Sequence, residues 1–468
     1  MRIASALVAS AMTVTVPVVA STLILAMPVA WADDAAPTSI WERSNLLGDM
    51  GGLRPWATDH GVTLTFTEQD ELKANTAGGL KQGATGDGLT TLGVQIDADK
   101  AFGWVGGTLN VSVLNIHGRA LSPYYLGNLQ TASGSEASDT TRLWEVWAQQ
   151  SFADGKFDVK IGQQSLDQEF LSSANGAIFM NTMMGWPMVP SADLYASGPA
   201  YPLSSPGVRL RVNATDSVTF LLGAFGDNPP GGPFDNDSQL RGGSRWGNNF
   251  NLRTGALVIG EAQYNLNQKV PGADKAPEGL PTSAKIGFYA DSGTFYDQQY
   301  ASNGALLAAT TAGPAKISGN SAFYAMIDQG VWKPAPDSAR VLSVFVRALT
   351  APSNQNLVDF SVNGGLTLTA PLAGRDDDTA GLGFGYAHIS SRAQAYDQDV
   401  AALDGNTTPV RSGETFLEAT YQAQITPWLQ LQPDFQYVMS PGGGVANPAT
   451  RKKLGNEVVV GIRSNIAF

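Results

Sequence analysis

From Val62 to Phe468 the sequence keeps a period of two: β-branched and aromatic residues alternate with Thr, Gln, Asp, Gly and Asn, in short stretches separated by Gly, Pro, Asp and Asn clusters. Successive side chains of an extended chain point to opposite faces, so each stretch has two chemically different sides. The last eleven residues, VVVGIRSNIAF, show this most clearly. Val458, Val460, Ile462, Ile466 and Phe468 share one face, and Gly461, Arg463 and Asn465 share the other. A strand with one face fit for hydrocarbon and one for water is the repeating unit of a transmembrane β-barrel, although a half-buried soluble sheet has it too.

The connections separate those two architectures. Strands are expected at 62–72, 89–97, 105–115, 142–152, 157–164, 208–213, 218–225, 257–266, 284–291, 322–332, 341–349, 360–370, 380–389, 415–426, 428–439 and 457–468. That is about sixteen, an even number in the outer-membrane range. Linkers after even-numbered strands are mostly tight, as in Ala153 to Lys156, Ala214 to Asp216 and Pro427 alone. Those after odd-numbered strands are mostly long, as in Lys73 to Gly88, Ile116 to Thr141, Ser165 to Gly207, Gly293 to Ser321, Ser390 to Glu414 and Ser440 to Asn456. Short turns on one side and long loops on the other are what a membrane barrel requires and a propeller or sandwich does not. Two connections break the alternation: Asn267 to Ser283 is long for its side, and Thr350 to Val358 is short.

The start of the chain places it outside the cytoplasm. Met1-Arg2 is followed by an uncharged Ala/Val/Thr/Leu stretch ending in Ala30-Trp31-Ala32, a small-x-small cleavage pattern, so 1–32 reads as a secretory signal peptide. Residues 33–61 are expected to form a periplasmic segment, with a short helix from about Ile40 to Leu47 because Ser39 and Glu42 have capping-box spacing. The barrel then occupies 62–468. Without any cysteine the exported chain has neither disulfides nor thiolate metal sites. A net charge of −12 argues against a nucleic-acid partner. After the signal no run of about twenty apolar residues occurs, which excludes a spanning helix but not a barrel.

If apolar faces look outward, the lumen can be read from the strands. Trp144, Val146 and Ala148 go out, while Glu145, Gln149, Lys160, Arg209, Arg211, Glu261, Lys285, Asp328, Arg347, Glu418, Gln432, Asp434, Gln436 and Arg463 go in. Both charge signs and many amides are present, so neither a cation nor an anion pore is indicated. Forked arginines, carboxylates and amides together suit a neutral, hydroxyl-rich solute; the alternative is that these charges pair with one another in water. The connection from Phe170 to Gly207 carries Phe179, Trp186, Tyr195 and Tyr201 among several Met and Pro, too apolar for a solvated loop. It is expected to fold inward and narrow the channel rather than lie as a lid outside.

Catalytic chemistry has little support. His60, His117 and His388 are scattered, with no HExxH spacing and no GxSxG elbow. Asp376-Asp377-Asp378 reads as a solvated turn, and the Asp/Asn/Gly-rich Pro233 to Asn249 as a polar external loop lacking the EF-hand pattern. No enzyme, metal or cofactor is expected. A soluble periplasmic sugar-binding β protein is the remaining alternative class.

Three stretches carry a resemblance: LLGDMGGLRPWATDHGVTL, RLWEVWAQQSFADGKFDVKIGQQSLDQEF leading into YPLSSPGVRLRV, and ETFLEATYQAQITPWLQLQPDFQYVMSPGG. Together they resemble the OprB-like carbohydrate-selective porins of Gram-negative outer membranes, over nearly all of the mature chain. The resemblance implies an all-β, sixteen-stranded antiparallel transmembrane barrel with a constricted, Arg-containing lumen. It also implies passive diffusion of glucose and related mono- or small oligosaccharides, or as the alternative a general diffusion pore. It supports Glu418, Gln432, Asp434, Arg209 and Arg211 as lumen residues, and makes PGADKAPEG look like an insertion. The partners implied are outer-membrane lipid and lipopolysaccharide, and the barrel assembly machinery that reads the terminal Phe468.

Overall fold

Every backbone N–H and C=O inside a bilayer needs a partner within the protein, and a sheet meets that demand only by closing. The computed structural model, which describes residues 39–234, 238–268, 279–336, 338–405 and 407–468, is such a closed barrel. Its strands are β1 (Val62–Ala77), β2 (Gly83–Asp97), β3 (Gly107–Gly118), β4 (Thr140–Phe152), β5 (Phe157–Gln164), β6 (Ser205–Asn213), β7 (Val218–Gly226) and β8 (Ala256–Leu266). They continue as β9 (Thr282–Ala301), β10 (Pro314–Trp332), β11 (Leu342–Thr350), β12 (Val358–Thr369), β13 (Thr379–Ile389), β14 (Gly413–Thr426), β15 (Leu429–Met439) and β16 (Glu457–Ala467). Each pairs antiparallel with its sequence neighbours, and β1 pairs with β16 to close the ring, Leu72 opposite Ile462. The expected signal segment and Pro271 to Glu278 of the suspected insertion lie outside the described residues.

Each of the sixteen expected segments overlaps a strand, and β5 has the expected bounds. The largest differences are hairpin arms beyond the membrane: β1 and β2 reach Ala77 and Gly83, and β9 and β10 reach Ala301 and Pro314. There the hydrogen-bonded ladder continues while the outer face no longer meets lipid. The apolar alternation therefore fades in Gly/Thr/Ser/Asp-rich sequence that reads as loop.

The faces follow the period-two rule. Leu72, Ile286, Phe323 and Leu382 are each at least 60% exposed on the outer wall, whereas Arg209, Arg347 and Glu418 are buried inside. Trp144 is an exception: expected to face out, it lies inside against Tyr201, ring centroids 6.3 Å apart. The pairing of β3 with β4 slips between Val111 and Val113, so one extra β4 residue enters and turns Trp144 to the lumen. Asp378 also departs from expectation. It is 1% exposed and accepts bonds from Arg375 Nε (2.7 Å), Tyr421 Oη (2.5 Å) and the backbone N–H of Gln424 (3.0 Å), which makes it a fastening of the β12–β13 turn.

The N-terminal helix is displaced from its expected place. Ile40–Glu42 forms only a 3-10 turn, in which the Ser39 hydroxyl accepts from the N–H of Trp41 and the Ser39 carbonyl from that of Glu42. Gly48, Gly51 and Gly52 then adopt positive φ, which ends any helix over 40–47. The helix proper is α1 (Leu53–Asp59), whose Pro55 sits in the first turn, where a missing N–H costs nothing. From α1, Arg54 Nη2 donates to the Phe468 carbonyl (2.6 Å), and Leu46 N–H donates to Ala467 O (2.8 Å). Phe468 itself donates its N–H to Phe66 O (2.9 Å) and stacks on the Phe66 ring at 4.3 Å. The seam between first and last strands is thus tied from below by the segment that precedes β1.

Placing a guanidinium on the lipid face at Ile286, between Ala262 and Ala325 of the adjoining strands, is expected to cost roughly 2–4 kcal/mol near mid-bilayer. Urea unfolding of Ile286→Arg in phospholipid vesicles measures this, and a loss below 1 kcal/mol would place that face away from hydrocarbon.

Candidate functional site

Two external connections do not stay outside. The segment 165–204, between β5 and β6, enters the lumen, and so does 119–139, between β3 and β4, for which the sequence suggests only a long external connection. Phe179, Trp186 and Tyr195 are each about 5% exposed. They belong to one apolar core with wall residues such as Ile259, Phe345, Leu349 and Phe416. Phe179 reaches the wall because β13 shows it glycine: a β-carbon on Gly381 or Gly383 would come within 2.8 Å of the Phe179 ring. The two loops also bond to each other, Thr182 N–H to Thr131 O (3.1 Å) and Gly134 N–H to Met180 O (2.9 Å).

A loop buried this way brings backbone polar groups that need partners. The strands supply them through the very side chains expected to meet solute. Arg347 donates to the carbonyls of Met183 (2.6 Å), Met184 (2.9 Å), Gly185 (3.0 Å) and Leu171. Gln432 donates to Ile178 O (2.7 Å) and Lys285 to Ser172 O (2.6 Å). Carboxylates take the N–H groups: Glu418 those of Met180 (2.5 Å) and Asn181 (3.2 Å), Glu261 that of Leu171 (2.9 Å), and Glu145 that of Ser165 (2.9 Å). Asp328 accepts from Ser173 Oγ (2.6 Å) and Asn175 N–H (3.2 Å). The other loop is held likewise, by Glu414 on the N–H groups of Leu129 and Gln130 and by Gln436 on Ala132 O (2.7 Å). These residues face inward, and what they touch is protein, for the most part loop backbone.

Other inward charges form two paired clusters. In one, Glu169 of the 165–204 loop receives Lys160, Arg209 Nε (2.7 Å) and Arg211 Nη2 (3.0 Å), and Arg209 also holds Asp158. In the other, Glu71 binds Arg463 (2.6 Å) and Lys73 (2.6 Å), which also meets Asp87 (3.2 Å) and Glu136 (3.0 Å). Asp434 accepts from Gln436 (2.9 Å) beside that second cluster. Arg142, Arg209, Arg347 and Arg463 are nearly fully buried, whereas the Arg211 side chain stays 35% exposed. Tyr201 donates to Ser135 O (3.0 Å), joining the loops again. Burial alone would raise the Glu169 carboxyl, but the Lys160 ammonium and the guanidinium groups of Arg209 and Arg211 outweigh it and hold it at about 2.

Sequence reasoning missed the 119–139 loop and its wall partners Glu71, Lys73 and Glu414. The signal the loop carries is Leu121, Tyr125 and Leu126 with Ala132, apolar residues that pack together against Val459. The histidines are also less isolated than expected. His388 pairs with Asp359 (2.7 Å), and His117 lies 3.5 Å from Glu68 beside Asp70 on the outer wall.

Comparison with known proteins is decisive for the family. Residues 81–468 match the family described as carbohydrate-selective porin, OprB family. The chain belongs to the OprB family. Porin B of Pseudomonas aeruginosa is 25% identical over 460 residues, covering 93% of both chains. The putative porin QuiX of Acinetobacter baylyi is 23% identical over 423 residues, covering 86% of this chain and 90% of that one. The high-pH structure of Pseudomonas putida OprB superposes with a TM-score of 0.81 at 24% identity, over 92% of this chain and all of the other, and so shares the fold. This OprB-family barrel is a carbohydrate-selective porin of the Gram-negative outer membrane, a channel rather than an enzyme.

Two outcomes follow from the fastening of the inward loop. Arg347→Ala strands buried carbonyls at about 1–3 kcal/mol each, so planar-bilayer recordings should show higher, noisier conductance; an unchanged trace would mean the loop is held by its apolar contacts alone. The Glu169 anchor has a depressed folded-state pKa, so its contribution is complete above the ordinary value of 4.5 and is lost as pH falls through about 2. Conductance should be steady down to pH 4.5 and change below it in the wild type, and Glu169→Gln should remove that change.

Proposed function

We propose that the porin passes glucose and related mono- or small oligosaccharides passively to the periplasm, along the lumen surface that the inward loops leave free. The supporting observation is that most of the lumen's charged groups are already paired with each other or bonded to loop backbone, so that few of them are free to meet a permeating solute. What stays part-exposed is largely neutral: the amides of Gln69, Gln149, Gln263 and Gln430 on inward faces are half-buried, and the Arg211 guanidinium is the open cation beside them. Amides and a forked guanidinium offer donors and acceptors to hydroxyls without favouring either ion sign. Phe179, Trp186 and Tyr195 set the width by keeping the 165–204 loop seated.

The aromatic seam at Phe66 and Phe468 fits a barrel surrounded by outer-membrane lipid and lipopolysaccharide, delivered by assembly machinery that reads the terminal strand. Liposome swelling tests the solute reading, with glucose, a disaccharide and amino acids of matched size. Glucose should enter faster than amino acids of its size. Arg211→Ala should narrow that difference while leaving unfolding unchanged, and Arg209→Ala, which removes a buried ion pair, should lower stability instead. Rates that follow size alone in the wild type would reduce the channel to a general diffusion pore.

A further inference from the structure

At the external mouth, where β7 ends and β8 begins, two carboxylates are buried without a cation. Asp227, the first residue after β7, is 0% exposed, and Asp291, on the inward face of β9, is 4% exposed. Oδ2 of each has no hydrogen-bond partner among the described residues. Asp227 Oδ1 accepts from Thr254 Oγ1 (2.6 Å), and Asp291 Oδ1 from Gly293 N–H (2.7 Å). The two groups face each other across the bare Cα of Gly293: a β-carbon there would lie 2.7 Å from Asp227 Oδ2 and 2.9 Å from Asp291 Oδ1. Ser292 Oγ flanks the same space, 3.0 Å from where a β-carbon on Gly255 would sit, with Asp227 Oδ2 at 2.5 Å from that point. Among the described residues no lysine, arginine or histidine pairs with either carboxylate, in contrast to Glu71 and Asp158, which meet Lys73 and Arg209.

We infer that Asp227 and Asp291, with Ser292 beside them, form a site for a hard divalent cation of the calcium or magnesium class. Two buried carboxylates in one space repel each other unless a proton or a metal ion intervenes. Carboxylate and hydroxyl oxygens are the ligands such cations take, with water completing the shell. Glycine at 255 and 293 puts no β-carbon between the oxygens, and the edge of the Tyr195 ring borders the same space, its Cε2 2.8 Å from where a β-carbon on Gly293 would sit. The ion would join three separate parts of the mouth. Asp227 starts the 227–255 connection and Asp291 belongs to the wall. Tyr195 of the inward loop closes the side, its hydroxyl bonded to Thr294 O (2.5 Å) and its ring packed on Phe234 and Phe295.

Terbium ion is the direct probe, because Tyr195 lies beside the site and can sensitise its luminescence. The refolded full chain in detergent should give a saturable, tyrosine-excited terbium signal that calcium displaces. Asp227→Asn keeps the Thr254 bond, and Gly293→Ala fills the space while leaving both carboxylates; both should bind about tenfold more weakly or worse. The outer-wall cluster of Glu68, Asp70 and His117 is present in every variant, so the difference reports the mouth alone. A wild type without a calcium-displaceable signal, or an Asp227→Asn titration identical to it, would overturn the site. In thermal unfolding, calcium should raise the midpoint of the wild type and not that of Asp227→Asn. A midpoint that Asp227→Asn raises equally with and without calcium would show instead that the pair shares a proton, and would also overturn it.

Discussion

The need to satisfy every backbone polar group away from water governs this protein twice. In the wall it forces closure: an open sheet edge cannot stand in hydrocarbon, so β1 must find β16. Inside the wall it returns in another form. A long loop that leaves water for the lumen brings unpaired N–H and C=O groups, and they need partners that a strand ladder cannot give. The inward side chains of the strands meet that need, carboxylates on N–H groups and Arg347, Lys285 and Gln432 on carbonyls. Wall and filling are thus one hydrogen-bonded system, with the inner polar face of the barrel serving as a socket for its own loops.

That arrangement changes how the lumen's charge should be read. A list of inward Arg, Lys, Glu and Asp suggests a charged channel, yet most of these groups are consumed by backbone or by each other. Buried pairs of this kind add little net stability over apolar packing, but removing one partner is costly because the other stays buried. Their value is geometric: each fixes where a stretch of loop runs. What stays part-exposed on the inward faces is a set of amides, Gln69, Gln149, Gln263 and Gln430, with the Arg211 guanidinium beside them. The apolar half of the fastening, Phe179 against the glycines of β13 and Trp186 and Tyr195 in the common core, supplies the depth that hydrogen bonds alone do not.

Much of this was legible in the sequence, and the failures have physical causes. The strands were readable because lipid demands an apolar outer face wherever it touches the wall; where the β9–β10 hairpin rises above lipid, that demand lapses and so did the reading. Trp144 was misplaced because a bulge shifts parity without any mark in composition. The N-terminal helix was sought at the capping-box spacing of Ser39 and Glu42, but glycines from Gly48 onward break that path and move the helix to Leu53–Asp59. The 165–204 loop betrays itself by its many aromatic residues, Met and Pro; in the 119–139 loop the larger apolar residues, Leu121, Tyr125 and Leu126 among them, are confined to the first half and followed by a polar run.

The sequence by itself determined the barrel, its strand number and, along regular strands, which side chains face in, because period-two patterning is local and is imposed by the solvent on each face. Tertiary structure alone decided what the inward residues do. Whether Arg347 meets a solute or four carbonyls depends on which distant loop arrives beside it, and Asp227 and Asp291 become neighbours only when β7, β8 and β9 are laid side by side. Facing is a property of a strand, whereas partnership belongs to the closed ring.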